Sequence, residues 1–288
     1  MTIPIQYLSW VALLTMPAAL SARDIYSGAQ KAKVDWLQFE EAAAQADVII
    51  FGEEHDDKAG HTWKREALQR LAAKYPVSLS LEMLERDQQV SVDEYLRGEI
   101  SEQAYLNSDR FWPNYAEHYH PLLKFAKEKK LPVVAANVPK RYANLVAQSG
   151  LPALYRVHSP YLPPLYLVAA FRQKHYEERV AAALAVHGMS GNSQMERQKF
   201  VDAQYLWDAS MSDAVAQAFY VHGRKVVHVN GRFHSEFDSG VTHRLRTLGL
   251  RVLTVSIYPA ENVPEPSDWP RADFLVLTAK EKPAPGAR

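Results

Sequence analysis

The chain has no cysteine. That absence excludes disulfides, thiolate nucleophiles, iron–sulfur clusters and zinc–thiolate sites, and with them a lipid-modified N-terminal cysteine. It also lacks an excess of either charge: 33 Lys and Arg balance 33 Asp and Glu, and the formal net charge is zero. Nucleic acid is therefore not an expected partner, since a phosphate backbone is bound by surplus basic charge. Low-complexity tracts, coiled-coil heptads and a clear internal repeat are missing too. So are the short catalytic signatures: there is no Gly-x-Ser-x-Gly elbow, P-loop, His-Glu-x-x-His or full dinucleotide fingerprint. Beyond the N-terminus no segment is apolar for long enough to cross a bilayer, which takes ~20 residues.

What is present begins at the N-terminus. Residues 5–20 are almost uninterrupted apolar sequence, followed by Ser21, Ala22 and Arg23. The run is short for a membrane span, and small residues at Ala19 and Ser21, or at Ala22, suit cleavage. Residues 1–22 are expected to be a secretory signal peptide, although no Lys or Arg precedes Arg23; an uncleaved anchor is the competing reading. The protein is then exported, periplasmic or associated with the outer membrane, and not a lipoprotein. One α/β domain is expected over residues 23–260, with an edge strand and a Pro-rich tail over 261–288.

Six short β-rich runs stand out at 48–51, 77–81, 133–136, 226–229, 252–257 and 274–277, most of them close to continuously apolar. That pattern suits strands buried on both faces. Helical patterns lie at 36–44, 61–74 and 121–129, and a long one at 164–186 stops at His187-Gly188. Ser193-Gln194-Met195-Glu196 has capping-box form and opens a helix to about residue 220. The expected fold class is α/β, a mostly parallel central sheet flanked by helices. Helical insertions at 84–130 and 139–223 leave from strand ends and are expected to cap the C-terminal edge of the sheet. No helix separates the last two runs, so they are expected to pair as an antiparallel edge hairpin.

The chemistry clusters at strand ends. The first run ends in Phe51-Gly52-Glu53-Glu54-His55, the second in Leu81-Glu82-Met83, the third in Ala136-Asn137-Val138-Pro139, and the fourth in Val229-Asn230-Gly231-Arg232-Phe233-His234. Open α/β sheets bind ligands in the crevice outside the carboxyl ends of their strands. Gly-x-x-His occurs in equivalent places, Gly52 to His55 and Gly231 to His234, where glycine permits a sharp turn off the strand. A lone motif of this kind is more often a helix-start histidine with a satisfied side chain. Two copies at matching strand ends favour a site. His55, Glu82 and His234 are expected to converge, as ligands of a divalent metal ion or as an acid–base set. For Glu82 the bland alternative is a buried carboxylate paired with Arg.

A second constellation is aromatic, from Phe111-Trp112-Pro113-Asn114-Tyr115 through His118-Tyr119-His120-Pro121. Tyr115 and Tyr119 are spaced to share a helix face. Core packing is the ordinary reading; the functional one is an apolar slot for a porphyrin, with Tyr119, Tyr115 or His118 near its iron. Lys140 and Arg141, just past the third strand, are candidate partners for carboxylates or propionates.

These segments, with Tyr119-His120-Pro121-Leu122-Leu123 and Asn230-Gly231-Arg232-Phe233-His234, resemble the ChaN family of haem-binding uptake proteins within the Tiki-like superfamily. The resemblance covers roughly residues 45–258. It implies an envelope protein of bacterial haem and iron uptake, working with other uptake components. It further implies a haem-dependent homodimer in which a tyrosine of one subunit ligates each iron while His and Lys of the other hold the propionates. Many family members are lipoproteins, and the missing cysteine departs from that. The wider superfamily also contains metal-dependent hydrolases that use the paired histidines and the glutamate. That is the alternative function; the expectation is a carrier rather than an enzyme.

Overall fold

The computed structural model describes residues 24–108, 110–186 and 193–279. The expected signal peptide, the stop at His187-Gly188 and the tail beyond residue 279 lie outside them. Two short strands, β1 (Asp24–Ser27) and β2 (Ala32–Val34), precede helix α1 (Trp36–Gln45). There follow β3 (Val48–Glu53), α2 (Lys58–Lys74) and β4 (Val77–Glu85). The first insertion holds α3 (Gln89–Arg97), α4 (Glu102–Ser108), α5 (Tyr115–His118) and α6 (His120–Lys129), and leads into β5 (Val133–Asn137). The second holds α7 (Lys140–Ser149), α8 (Leu165–Ala169), α9 (Lys174–Val186) and α10 (Gln194–His222). Then come β6 (Lys225–Gly231), α11 (Gly240–Thr247), β7 (Val252–Pro259) and β8 (Phe274–Thr278).

The strands form one sheet in the order β2-β1-β8-β7-β3-β6-β4-β5. From β8 to β5 every pairing is parallel. All of β3 is buried, the apolar run Val48–Phe51 and also Gly52 and Glu53 at its end. Alternate residues serve opposite layers. Ile49, Phe51, Leu79, Leu81, Val227 and Val229 pack with Phe39, Trp63, Leu71 and Leu123 of α1, α2 and α6. Val48, Ile50 and Val226 pack with Met211, Val215, Val241 and Leu245 of α10 and α11.

Helix α10 begins at the Ser193–Glu196 capping box and does two jobs. Its first half joins α7, α8 and α9 through Val201, Tyr205 and Leu206, forming the cap over the strand ends. Its second half, from Met211 onward, lies on the sheet. At the open edge, the Gln89 side-chain amide donates to Val133 O at 2.9 Å and accepts from Ala135 N at 2.8 Å.

Two expectations are corrected. β7 and β8 are parallel, with Val255 opposite Phe274, rather than an antiparallel hairpin. Residues 260–273 link them, long enough (~3.3 Å per residue) to return along the whole of β7 with no α-helix and a single 3-10 turn at Trp269–Arg271. The antiparallel edge is made instead by β1, which pairs with β8 and β2. The long helix expected over 164–186 is broken into α8 and α9, with Phe171 at φ 61 between them. The Arg244 guanidinium faces the Phe171 ring and donates to Leu167 O at the end of α8, which fixes the break.

Candidate functional site

β3, β4 and β6 lie side by side, so their carboxyl ends bring His55, Glu82 and His234 to the wall of one cavity of about 530 Å³. Its other walls include Trp112, Asn137, Lys140, Leu184, Trp207 and Phe233. The glycines of the two Gly-x-x-His turns are needed for close approach, not for an unusual backbone angle: neither Gly52 nor Gly231 has positive φ. A Cβ on Gly52 would lie 2.7 Å from Ser235 Oγ and 3.0 Å from Arg232 Cα, both in the second turn. A Cβ on Gly231 would lie 2.9 Å from His55 Nε2 in the first. Each glycine makes room for the other motif, and the two turns interlock.

His234 is almost fully enclosed. Its Nδ1 lies 2.7 Å from Asp208 Oδ1 on α10, and its Nε2 lies 3.8 Å from Glu82 Oε1. Burial alone would lower its pKa, but the charges of Glu82 and Asp208 outweigh burial and raise it to about 9. Glu82 also accepts from the Gly231 backbone N–H at 2.6 Å. His55 is different: 38% of its side chain is exposed. Its Nδ1 lies 2.9 Å from Glu53 Oε1, and its ring stands edge-on to Trp112 at 4.9 Å between centroids.

Behind His55 is a buried polar network. The Tyr119 hydroxyl donates to Glu53, and the Lys64 ammonium pairs with the other Glu53 oxygen. Lys64 Nζ donates to His61 Nδ1 at 2.9 Å, and His61 Nε2 donates to His55 O at 3.0 Å. Burial lowers His61 to about 4, which keeps it neutral, and pushes Lys64 well below the usual lysine range. His118, a sequence candidate, stacks on His61 at 4.1 Å and is buried.

The candidate tyrosines do not reach the cavity wall. Tyr119 and Tyr115 are enclosed in the core, and the Tyr115 hydroxyl meets that of Tyr105 at 2.8 Å. Burial, with the Glu82 and Asp56 charges, drives the Tyr119 phenol far above its usual range. Lys140 does reach the site. It lines both this cavity and an adjoining groove of about 830 Å³. The groove is walled by Phe111, Trp112 and Pro113, with Arg110, Lys140 and Arg141 among its polar residues. Arg141 is ion-paired with Asp87 and stacked on the Tyr142 ring. Among the described residues no three His, Asp or Glu side chains are grouped to hold a metal ion.

Sequence reasoning missed Asp208, Glu53 and Lys64. Glu53 sits inside a motif that was already marked. Asp208 lies in the middle of a 29-residue helix, and only the packing of α10 over His234 reveals it.

The profile of the haem-binding uptake family ChaN, in the Tiki superfamily, matches residues 39–245, well over half of the chain. The chain belongs to the ChaN family. Among solved structures it is similar to ChaN of Campylobacter jejuni, a structure titled for its cofacial haem binding. The two share 17% identity over 88% of this chain and 96% of that one, with a TM-score of 0.68. At that identity the likeness speaks for the fold. A Bacillus cereus protein aligns at 14% identity over 78% of this chain and 68% of its own, with a TM-score of 0.46. The erythromycin esterase EreC, in its open conformation, aligns at 13% over 88% and 83%, with a TM-score of 0.44. No curated protein is a significant relative. The fold of this ChaN-family chain is thus one that it shares with the Campylobacter jejuni protein.

Proposed function

We propose that this chain is an exported haem-binding protein of bacterial haem and iron uptake, and that two copies close around the haem. One observation carries the reading: the Phe111–Pro113 wall, the Arg110, Lys140 and Arg141 cations and the His55 cavity adjoin through Trp112 and Lys140. A porphyrin has an apolar ring and two anionic edges, and this groove offers a surface for each. Haem brings an iron centre that takes its ligand from the protein. Lys140 and Arg110 would pair with propionates, whereas Arg141 would first have to leave Asp87. With Tyr115 and Tyr119 enclosed, a phenol ligand would come from a second copy, in keeping with a dimer whose interface covers the groove. An exposed apolar wall of this kind suits such a contact.

Titration with ferric haem tests this. The expected result is a saturable Soret band accompanied by a monomer-to-dimer shift in sedimentation, with Lys140→Glu weakening affinity about tenfold, the scale of one charge-assisted contact. A chain that leaves the spectrum of free haem unchanged refutes the proposal. Export is tested by N-terminal sequencing of protein from the periplasmic fraction, which should start near Arg23.

A second reading rests on the histidines. Each has Nδ1 held by a buried carboxylate, Glu53 or Asp208, an orientation suited to acid–base chemistry. Under that reading the purified protein is colourless and hydrolytic, with chelators separating metal-dependent from metal-free action.

A further inference from the structure

We propose that Tyr119 is a redox-active tyrosine, a buried sink for one-electron oxidation that enters through Trp112, with Glu53 accepting its proton. The inference goes beyond the haem reading and does not need haem to be bound. Its first support is the order of the rings. Trp112 is half-buried and lines both the cavity and the adjoining groove, so a small radical that reaches the site meets its indole. The Tyr119 ring stands behind it, edge-on at 6.1 Å between centroids and closed off from solvent. Electron transfer between rings weakens steeply with separation, and neighbours this close exchange an electron directly.

The second support is the proton. A phenol that has lost an electron is a strong acid, and a buried one is oxidised readily only where a base stands ready. The Tyr119 hydroxyl already donates to Glu53 Oε1, and His55 Nδ1 lies 2.9 Å from that same oxygen and 3.3 Å from the hydroxyl. Burial, with the Glu82 and Asp56 charges, keeps the resting phenol protonated, so electron and proton leave together. The step balances. An oxygen-centred radical takes one electron from the Trp112 indole and becomes an anion. The indole cation radical takes one electron from Tyr119; the phenol O–H bond breaks, its proton passes to the Glu53 carboxylate, and a neutral phenoxyl radical remains. A soluble reductant of the ascorbate or thiol class later returns the electron along the same rings, and the proton goes back to the phenol. The third support is enclosure. The Tyr119 ring has His61 edge-on at 5.0 Å and Tyr115 at 6.2 Å, walls that keep its radical from coupling with another chain. Iron and peroxide together generate oxygen-centred radicals, and a cavity that takes an iron compound is where such a sink spares its own wall.

The experiment uses the full chain without haem, in a Trp269→Phe background, because Trp269 and Tyr26 lie 6.2 Å apart and would add a signal of their own. Azide radicals from a radiolysis pulse oxidise the indoles, and the absorption of indole and phenoxyl radicals is followed in time. The expected result is a phase in which indole radical turns into phenoxyl radical at a rate independent of protein concentration and slower in heavy water. Trp112→Phe, at a half-buried position, should lose that phase. Tyr119→Phe, which keeps the ring and leaves Glu53 paired with Lys64, should lose it too and let the indole radical persist. Tyr115→Phe should retain it. Under steady oxidation, mass spectrometry should find more damage at Trp112 in Tyr119→Phe than in its parent. Survival of the phase in Trp112→Phe or Tyr119→Phe, or its loss in Tyr115→Phe alone, overturns the proposal. So does a rate unchanged in heavy water, since the proton would then have no part in the step. None of these outcomes bears on haem binding, which the titration above decides separately.

Discussion

The two Gly-x-x-His turns are the same four-residue motif, and they do opposite work. At the end of β6, His234 is locked between Asp208 and Glu82 under α10 and belongs to the interior. At the end of β3, His55 is held at Nδ1 by Glu53, has Nε2 against the Gly231 turn and keeps 38% of its side chain exposed. The difference comes from what lies above. A long helix delivers a carboxylate over the second turn, whereas the Trp112 loop stands over the first. A motif fixes where a side chain starts; its surroundings decide whether it braces the fold or meets a ligand.

That contrast can be broken by mutation. The largest effect is expected from His234→Ala, which strips Glu82 and Asp208 of the cation between them. Breaking a buried pair costs about 3–5 kcal/mol, read as a fall in denaturant midpoint. Alkali should do the same more gently. The folded pKa of His234 is raised, to about 9 from 6.5. Its contribution is therefore complete below pH 6.5 and is lost as pH rises through 9. A stability loss on the order of 3 kcal/mol over that window is expected in the wild type and should be absent from His234→Gln.

The glycines sharpen the comparison further. Gly52→Ala meets the Arg232 backbone, which cannot yield locally, and should cost about 1–3 kcal/mol. Gly231→Ala meets the tip of the His55 ring, which can swing away. It should displace the imidazole at a smaller cost in stability than Gly52→Ala, read as a smaller shift in thermal unfolding. Smallest of all is His55→Ala itself, expected within about 0.5 kcal/mol of wild type in stability, since the side chain is partly exposed.

Much of this was legible in the sequence. The buried strands read as apolar runs because both of their faces are covered, and polar residues directly after them marked the sheet's binding edge. The capping box at Ser193 gave the start of α10 through purely local hydrogen bonds. What stayed hidden depends on contacts distant in sequence. Strand β2 is mostly exposed and so carries little hydrophobic signal. The break at Phe171 follows from Arg244, more than seventy residues away. Helical spacing put Tyr115 and Tyr119 on one face correctly, but periodicity does not say which way a face points, and this one points into the core. The glycines follow the same pattern: the turn they permit needs no positive φ, and what they supply is room for the neighbouring motif.

The Gln89 amide against β5 has a consequence for assembly. Its side chain imitates one peptide unit of a neighbouring strand, filling an acceptor and a donor that the sheet would otherwise offer outward. At the other margin β2 is three residues long and carries Lys33, with Lys31 just before it. Neither margin is a template on which another chain can crystallise into a ribbon. Growth by strand addition is therefore disfavoured at both margins.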